Sequence, residues 1–346
     1  MEIDNPVPQD SSASGPAVPW RRSPEVSVDL NIPVARRFHH LPDEIVALGS
    51  RLLEAVMKDI PQKARSFASL IRIRTANRFH AEFAALSQRV GADWQSLALA
   101  NVSYDLVISI FGCSTVALPT PSGPIIARNM DWWPEDVLAQ CSCLVRYFRG
   151  GRLAFANAGW PGAVGVVTGL SAAGFAVVLN AVSCSEGICR TGYPVLLHLR
   201  RVLEDATDFD DAFRMLTRRK LFAPALITLV GRTNEQRVVI ERSPTRCALR
   251  WANDNEALIT TNDYRVLERP STNDTAEIYR TTCSRFDYLT QFFREHDSSR
   301  AVAQEKLLYA LTDSAVIQSI TAQHIVMHPA SDTIELFVPE RLLSGT

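Results

Sequence analysis

Cys113, Arg128 and Asp131 stand close together in residues 101–133, NVSYDLVISIFGCSTVALPTPSGPIIARNMDWW. Cys113 follows Gly112 at the head of a short apolar run, and Arg128 and Asp131 close the next one. A thiol placed this way is a candidate nucleophile, with a cation and an anion available to tune it. Successive residues of a strand point to opposite faces, so positions 128 and 131 face apart. The two charged groups serve one pocket only if the strand ends or bends between them, as the following Trp132-Trp133-Pro134 suggests. The bland alternatives are a core cysteine and a surface ion pair.

Other generic signatures of chemistry are absent. The chain carries no GxxxxGK[ST] phosphate loop, no GxSxG elbow and no HExxH zinc helix. Cys141-Ser-Cys143 and Cys184…Cys189 are poor zinc spacings, and the nearest histidine, His198, lies in an apolar helical run. A structural zinc site on those four cysteines is the non-enzymatic rival reading. The seven histidines offer no cysteine-paired constellation, which argues against a papain-like site.

Helices and hairpins must position these groups. Ile45, Leu48, Leu52, Ala55, Val56 and Ile60 recur at helical spacing behind Pro42-Asp43-Glu44. Two further helices are expected at 76–90 and 93–107, separated by Gly91. From Gly112 the pattern turns to strands. Residues 113–118 and 125–130 flank the turn 119–124, residues 144–148 and 153–156 flank Arg149-Gly-Gly-Arg152, and residues 163–170 and 174–182 flank Ser171-Ala-Ala173. Helices return at 193–206, 209–219 and 278–296, with strands at 226–231, 237–241, 247–251 and 257–261 between them and a last hairpin around 329–332. Consecutive hairpins with grouped helices and no βαβ alternation predict an α+β fold of antiparallel sheets with helices outside.

Composition limits the partners. Lys plus Arg number 36 against 37 Asp plus Glu, a net charge of −1, so the basic excess of a nucleic-acid binder is missing. No apolar stretch approaches the ~20 residues of a membrane span. The amino-terminal residues, rich in Pro and Ser, have no apolar core of a secretory signal, so a disordered leader and a cytoplasmic location are expected. Seven cysteines, an odd number, argue against a full disulfide framework.

The motif order resembles the cysteine-type N-terminal-nucleophile hydrolases. The helix-then-cysteine stretch 99–114, followed by a hairpin and Arg128-Asn-Met-Asp131, resembles acid ceramidase and N-acylethanolamine acid amidase. The Gly112–Cys113 junction and GLSAAGFAVVLNAV at 169–182 resemble the acyl-CoA:6-aminopenicillanic acid acyltransferases, and residues 221–231 and Thr260-Thr-Asn262 resemble elements of both groups.

The resemblance implies a four-layer αββα sandwich and a proenzyme that cuts itself between Gly112 and Cys113. The freed α-amine, with a pKa of ~8, would then be the base that no histidine supplies. Residues 1–37 would be the leader, 38–112 a helical α subunit that stays bound, and 113–346 the catalytic β subunit. Cys113 would be the nucleophile, Asp131 the anchor of its amine, and Arg128 the cation beside it. Asn180 and Asn262 would surround the oxyanion, and Arg280, with Arg285 as its rival, would be the last site arginine. The implied substrate is a small or lipid-like N-acyl amide, with no metal or organic cofactor. Acyl transfer from acyl-CoA to an amine is the alternative on the same fold.

Overall fold

The computed structural model describes residues 19–58, 60, 65, 67–106, 111–253, 255–268, 281–302 and 304–343. Strands β1 (Trp20–Arg22) and β2 (Glu25–Asp29) come first. Among the described residues these α-helices follow: α1 (Val34–Arg37), α2 (Asp43–Met57), α3 (Phe67–Arg74), α4 (His80–Val90), α5 (Trp94–Ala100) and α6 (Ser103–Leu106). Then come β3 (Phe111–Leu118), β4 (Ile125–Trp132), α7 (Glu135–Gln140), β5 (Cys143–Arg149), β6 (Arg152–Gly159), β7 (Thr168–Ser171) and β8 (Phe175–Asn180). The pair α8 (Val195–Asp205) and α9 (Phe209–Arg218) precedes β9 (Ala225–Val230), β10 (Arg237–Arg242), β11 (Cys247–Trp251) and β12 (Leu258–Thr260). Helices α10 (Thr282–Phe292) and α11 (Gln304–Thr312) and strands β13 (Thr321–His328) and β14 (Thr333–Pro339) complete the chain.

The strands form a six-stranded sheet ordered β1-β14-β13-β4-β3-β12 and an eight-stranded sheet ordered β11-β10-β9-β8-β7-β6-β5-β2. Side-chain alternation sorts their residues into three apolar layers. Ala117, Ile126 and Ile325 of the first sheet meet Ala156, Leu170 and Val178 of the second between the sheets. Their neighbours Val116, Ala127 and Val326 face outward onto Leu289 of α10 and Leu307 and Leu311 of α11. On the far side, Phe155, Val177 and Ile240 pack under α2, α4, α5 and α8. The order is helix, sheet, sheet, helix, the expected αββα sandwich. Among the described residues no helix is long and apolar enough to cross a membrane.

Part of the expected leader is structure. Residues 20–22 pair antiparallel with β14, and residues 25–29 pair in parallel with β5. The alternation Val26/Val28 buried against Glu25/Ser27 exposed explains why a segment read as leader holds a sheet edge. Residues 1–18 lie outside the described residues. Helix α4 starts at His80 rather than 76, because Ala76 (φ 50°) and Asn77 (φ 61°) adopt left-handed backbone that ends the preceding turn.

Candidate active site

Cys113 lies third in β3, with Gly112 opposite Asp131 and Cys113 opposite Met130 across the β3–β4 ladder. The register puts Cys113, Thr115 and Arg128 on the inter-sheet face and Asp131 on the other. Arg128, fully buried, reaches across with Nη2 2.7 Å from Cys113 Sγ and Nη1 2.6 Å from Thr168 Oγ1 on β7. On the outer face Asp131 Oδ1 accepts from Thr321 Oγ1 at 2.6 Å, while its Oδ2 is buried with no hydrogen-bond partner among the described residues. The two charged residues thus serve one cysteine from opposite faces of a strand that stays regular through Trp132. No bend is needed.

The backbone of Cys113 is held as firmly as its thiol. Its N–H donates to Asn262 Oδ1 at 3.1 Å, and its carbonyl accepts from Arg285 Nη1 at 2.7 Å. Arg285 also donates to Ser114 Oγ and to Asn262 Oδ1, each at 2.9 Å. Asn262 N in turn donates to Thr282 Oγ1 at 2.9 Å. Asn180, at the end of β8, accepts from Thr115 Oγ1 at 2.9 Å and donates to the Thr260 and Thr261 carbonyls at 3.1 and 3.0 Å. Asn262 Nδ2 donates to the Ala181 carbonyl at 2.9 Å. Both side-chain amides therefore point their NH2 groups at backbone carbonyls, and Asn262 turns its oxygen to Cys113.

The electrostatics follow from burial. Loss of water pushes the Cys113 thiol up; Arg128 opposes this, Asp131 adds to it, and the Ala181 backbone N–H and Arg285 favour the thiolate. Burial likewise pushes Asp131 up against the pull of Arg285, the Thr321 hydroxyl and Arg128. Cys113 is only 3% exposed, so both charges act on it in a medium where they are weakly screened. The thiol is therefore protonated at rest, with Arg128, Arg285 and the Ala181 N–H placed to stabilise negative charge that forms on the sulfur.

The structure brings Gly112, Cys113, Arg128, Asp131, Asn180 and Asn262 together. Arg280 lies outside the described residues, and Arg285, in the first turn of α10, occupies the place beside Cys113. Sequence reasoning missed Thr168 and Thr321, which orient Arg128 and Asp131; each is an isolated threonine far along the chain, with no local signal. The zinc-rival cysteines are separated. Cys141 and Cys143 sit in the core, where burial pushes the Cys141 thiol up to about 11, and Cys184 and Cys189 lie in the loop beyond β8. Among the described residues no group of three or more His, Cys, Asp or Glu side chains is placed to hold a metal ion.

Known proteins share this framework. A family model described as acyl-coenzyme A:6-aminopenicillanic acid acyl-transferase matches residues 118–324, more than half of the chain. The N-acylethanolamine-hydrolyzing acid amidase of Caenorhabditis elegans is 24% identical over 254 residues, covering 68% of this chain and 70% of that one. Human acid ceramidase is 22% identical over 271 residues, covering 66% and 65%. The acyl-coenzyme A:6-aminopenicillanic-acid-acyltransferase 40 kDa form of Emericella nidulans is 26% identical over 204 residues, covering 57% and 55%. A solved structure of the Caenorhabditis elegans amidase ortholog superimposes with a TM-score of 0.52 at 21% identity, over 63% of this chain and 93% of that one, which shows the shared fold. With a buried cysteine at the head of a strand in an αββα sandwich, and a family model spanning all of the eight-stranded sheet but its β2 edge, the chain belongs to the acyl-coenzyme A:6-aminopenicillanic acid acyl-transferase family of N-terminal-nucleophile enzymes.

Proposed function

We propose that the chain is a self-processing amidohydrolase that cleaves a non-peptide N-acyl amide through a thioester on Cys113. In maturation the Cys113 thiol attacks the Gly112 carbonyl, the peptide C–N bond breaks, and water hydrolyses the resulting thioester to leave a Gly112 carboxylate and a free Cys113 amine. In turnover that amine takes the thiol proton, and the thiolate adds to the substrate carbonyl. The amine returns the proton to the leaving nitrogen, then activates the water that releases the acid. The donors available to the oxyanion are the Ala181 N–H at the sulfur and the second proton of Asn262 Nδ2, whose first goes to the Ala181 carbonyl.

The observation that carries this reading is the buried Cys113 thiol 2.7 Å from Arg128, its own N–H and C=O gripped by Asn262 and Arg285. The partnerless Asp131 Oδ2, one strand over from Cys113, supports it: a new ammonium at residue 113 would supply the missing donor. An apolar cleft lined by Leu52, Val56, Leu196 and Trp160 reaches Trp132, the residue after Asp131, and supports an apolar acyl group. Intact-mass spectrometry with amino-terminal sequencing tests the proposal. Active protein should show fragments ending at Gly112 and beginning at Cys113, and Cys113→Ala should remain whole. An active, uncut chain refutes the free-amine mechanism. The acyltransferase description of the matching family favours a second reading, in which an amine resolves the thioester; turnover measured with and without acyl-CoA decides between them.

A further inference from the structure

A second cavity, of about 650 Å3, opens in the helical layer between the end of α3, the faces of α8 and α9, and the segment after α9. It shares no residue with the Cys113 site. Among its lining residues are six cations and one carboxylate, in a chain whose net charge is −1. Asp211 pairs with Arg214 at 3.2 Å, and Arg201 leans on Asp205 at 3.3 Å. Among the described residues Arg74, Arg218, Arg219 and Lys220 form no ion pair. Such a cluster repels itself, and an anion bound among the cations relieves that repulsion.

Two buried polar groups at the wall point to a ligand independently of the charge. The Tyr193 hydroxyl has no hydrogen-bond partner among the described residues, although Arg219 covers the ring at 4.9 Å. His198 Nε2 lies 3.1 Å from the Met215 carbonyl and so carries the proton, which leaves Nδ1 as an acceptor with no donor among the described residues. Burial, with Arg219, Arg242 and Arg201 nearby, holds this histidine neutral. An unmade hydrogen bond at a buried group is costly, so both atoms call for a partner. The cations ask for several negative charges, the tyrosine for an acceptor oxygen, and the histidine for a hydroxyl. A volume of this order suits a small molecule.

We infer that this cavity binds a soluble organic polyphosphate, its phosphates on Arg74, Arg218, Arg219 and Lys220 and a free hydroxyl donated to His198 Nδ1. Arginine forks suit phosphate oxygens in pairs, and four cations without an ion pair among the described residues match more than one phosphate.

Calorimetry and thermal unfolding with ATP, inorganic tripolyphosphate and phosphatidylserine vesicles test this on the whole protein. They are run in 150 mM salt, where nonspecific attraction is screened beyond about 8 Å. ATP should bind once per chain and raise the melting temperature. Tripolyphosphate, lacking the hydroxyl, should bind more weakly. Each charge-assisted contact is worth about a factor of ten or more, so Arg218→Ala with Arg219→Ala should weaken ATP by about 100-fold. Both residues are exposed, and their replacement leaves the core intact. Tyr193→Phe should also weaken ATP, whereas Arg152→Ala, on the distant β5–β6 hairpin, should not. No ATP binding in this salt, unchanged affinity in the double variant, or binding to the vesicles alone would overturn the proposal. Neither cleavage before Cys113 nor amidase turnover enters these readouts, so they stand or fall apart from the proposed reaction.

Discussion

Arg128 and Asp131 leave the same strand on opposite faces, yet both act on Cys113: Arg128 touches its sulfur, and Asp131 lies across the ladder from the Gly112–Cys113 junction. Both bear on the thiol, the cation favouring its ionised form and the anion opposing it, while the Cys113 nitrogen rests on the Asn262 amide oxygen. In the proposed reaction, with one residue as nucleophile and base, each charge therefore has its own effect to test.

The cationic half is tested at Arg128. Without it, burial and Asp131 are opposed only by the Ala181 N–H and Arg285, and the thiol titrates higher. Alkylation of Cys113 by iodoacetamide at pH 7 should slow by about tenfold or more in Arg128→Gln, and the acid limb of the pH–rate profile should move to higher pH. An unchanged alkylation rate removes Arg128 from the nucleophile.

Asn262 joins the Cys113 N–H, Arg285 and the Ala181 carbonyl. Asn262→Asp sets a carboxylate oxygen against that carbonyl and adds negative charge where the oxyanion forms. Turnover per mole of mature chain should fall by roughly 10²–10³ with little change in KM. A variant of lowered melting temperature but nearly full kcat assigns Asn262 to structure alone.

Two arginines compete for the last position of the site. Arg285→Ala strips donors from the Cys113 carbonyl, Ser114 and Asn262 and removes the largest cationic influence on Asp131. Maturation should fail or slow by orders of magnitude, whereas Arg280→Ala should mature normally. Time courses of chain cleavage on denaturing gels separate the two, and the reverse result would restore Arg280.

A buried acid on α6 predicts a pH dependence of stability. Asp105 Oδ1 accepts from Val195 N at 2.9 Å, its Oδ2 has no partner among the described residues, and burial pushes its pKa to about 7 despite that bond. Because the folded pKa lies above the unfolded one, its contribution is complete below pH ~4 and is lost as pH rises to 7. Asp105→Asn keeps the acceptor for Val195 and cannot ionise. Relative to wild type it should gain on the order of 4 kcal/mol between pH 4 and pH 8. Denaturant titrations across that range measure the gain, and parallel curves for the two proteins would contradict it.

The hairpin segments were legible because strand alternation and turn residues are local. Cys113, Arg128 and Asp131 were legible because one hairpin holds all three. What failed depended on side chains from far away. Asn101 is the clearest case. Its Nδ2 donates to the Leu97 and Gly162 carbonyls, and its Oδ1 accepts from Val164 N and Gly165 N. One side chain stands where the expected helix 93–107 divides into α5 and α6. It also takes the backbone donors of an expected strand, so β7 begins only at Thr168. Arg285 eluded assignment for the same reason, since nothing within α10 marks which arginine faces a strand 172 positions away.

The first described residues have a mechanical consequence for a chain cut before Cys113. Ser23 N donates to Leu336 of β14, and the next residue's carbonyl, Pro24 O, accepts from Leu144 of β5. A single turn of backbone therefore stitches the outer edges of both sheets, like a clasp across two leaves. Severing the Gly112–Cys113 bond would leave that clasp closed, because the amino-terminal piece borders each sheet and roofs one of them with α1–α6. The two pieces would travel as one particle through any native separation. Once denatured, they could recover their shape only by meeting again in solution, so renaturation of the cut protein should depend on its concentration while that of the uncut Cys113→Ala chain should not.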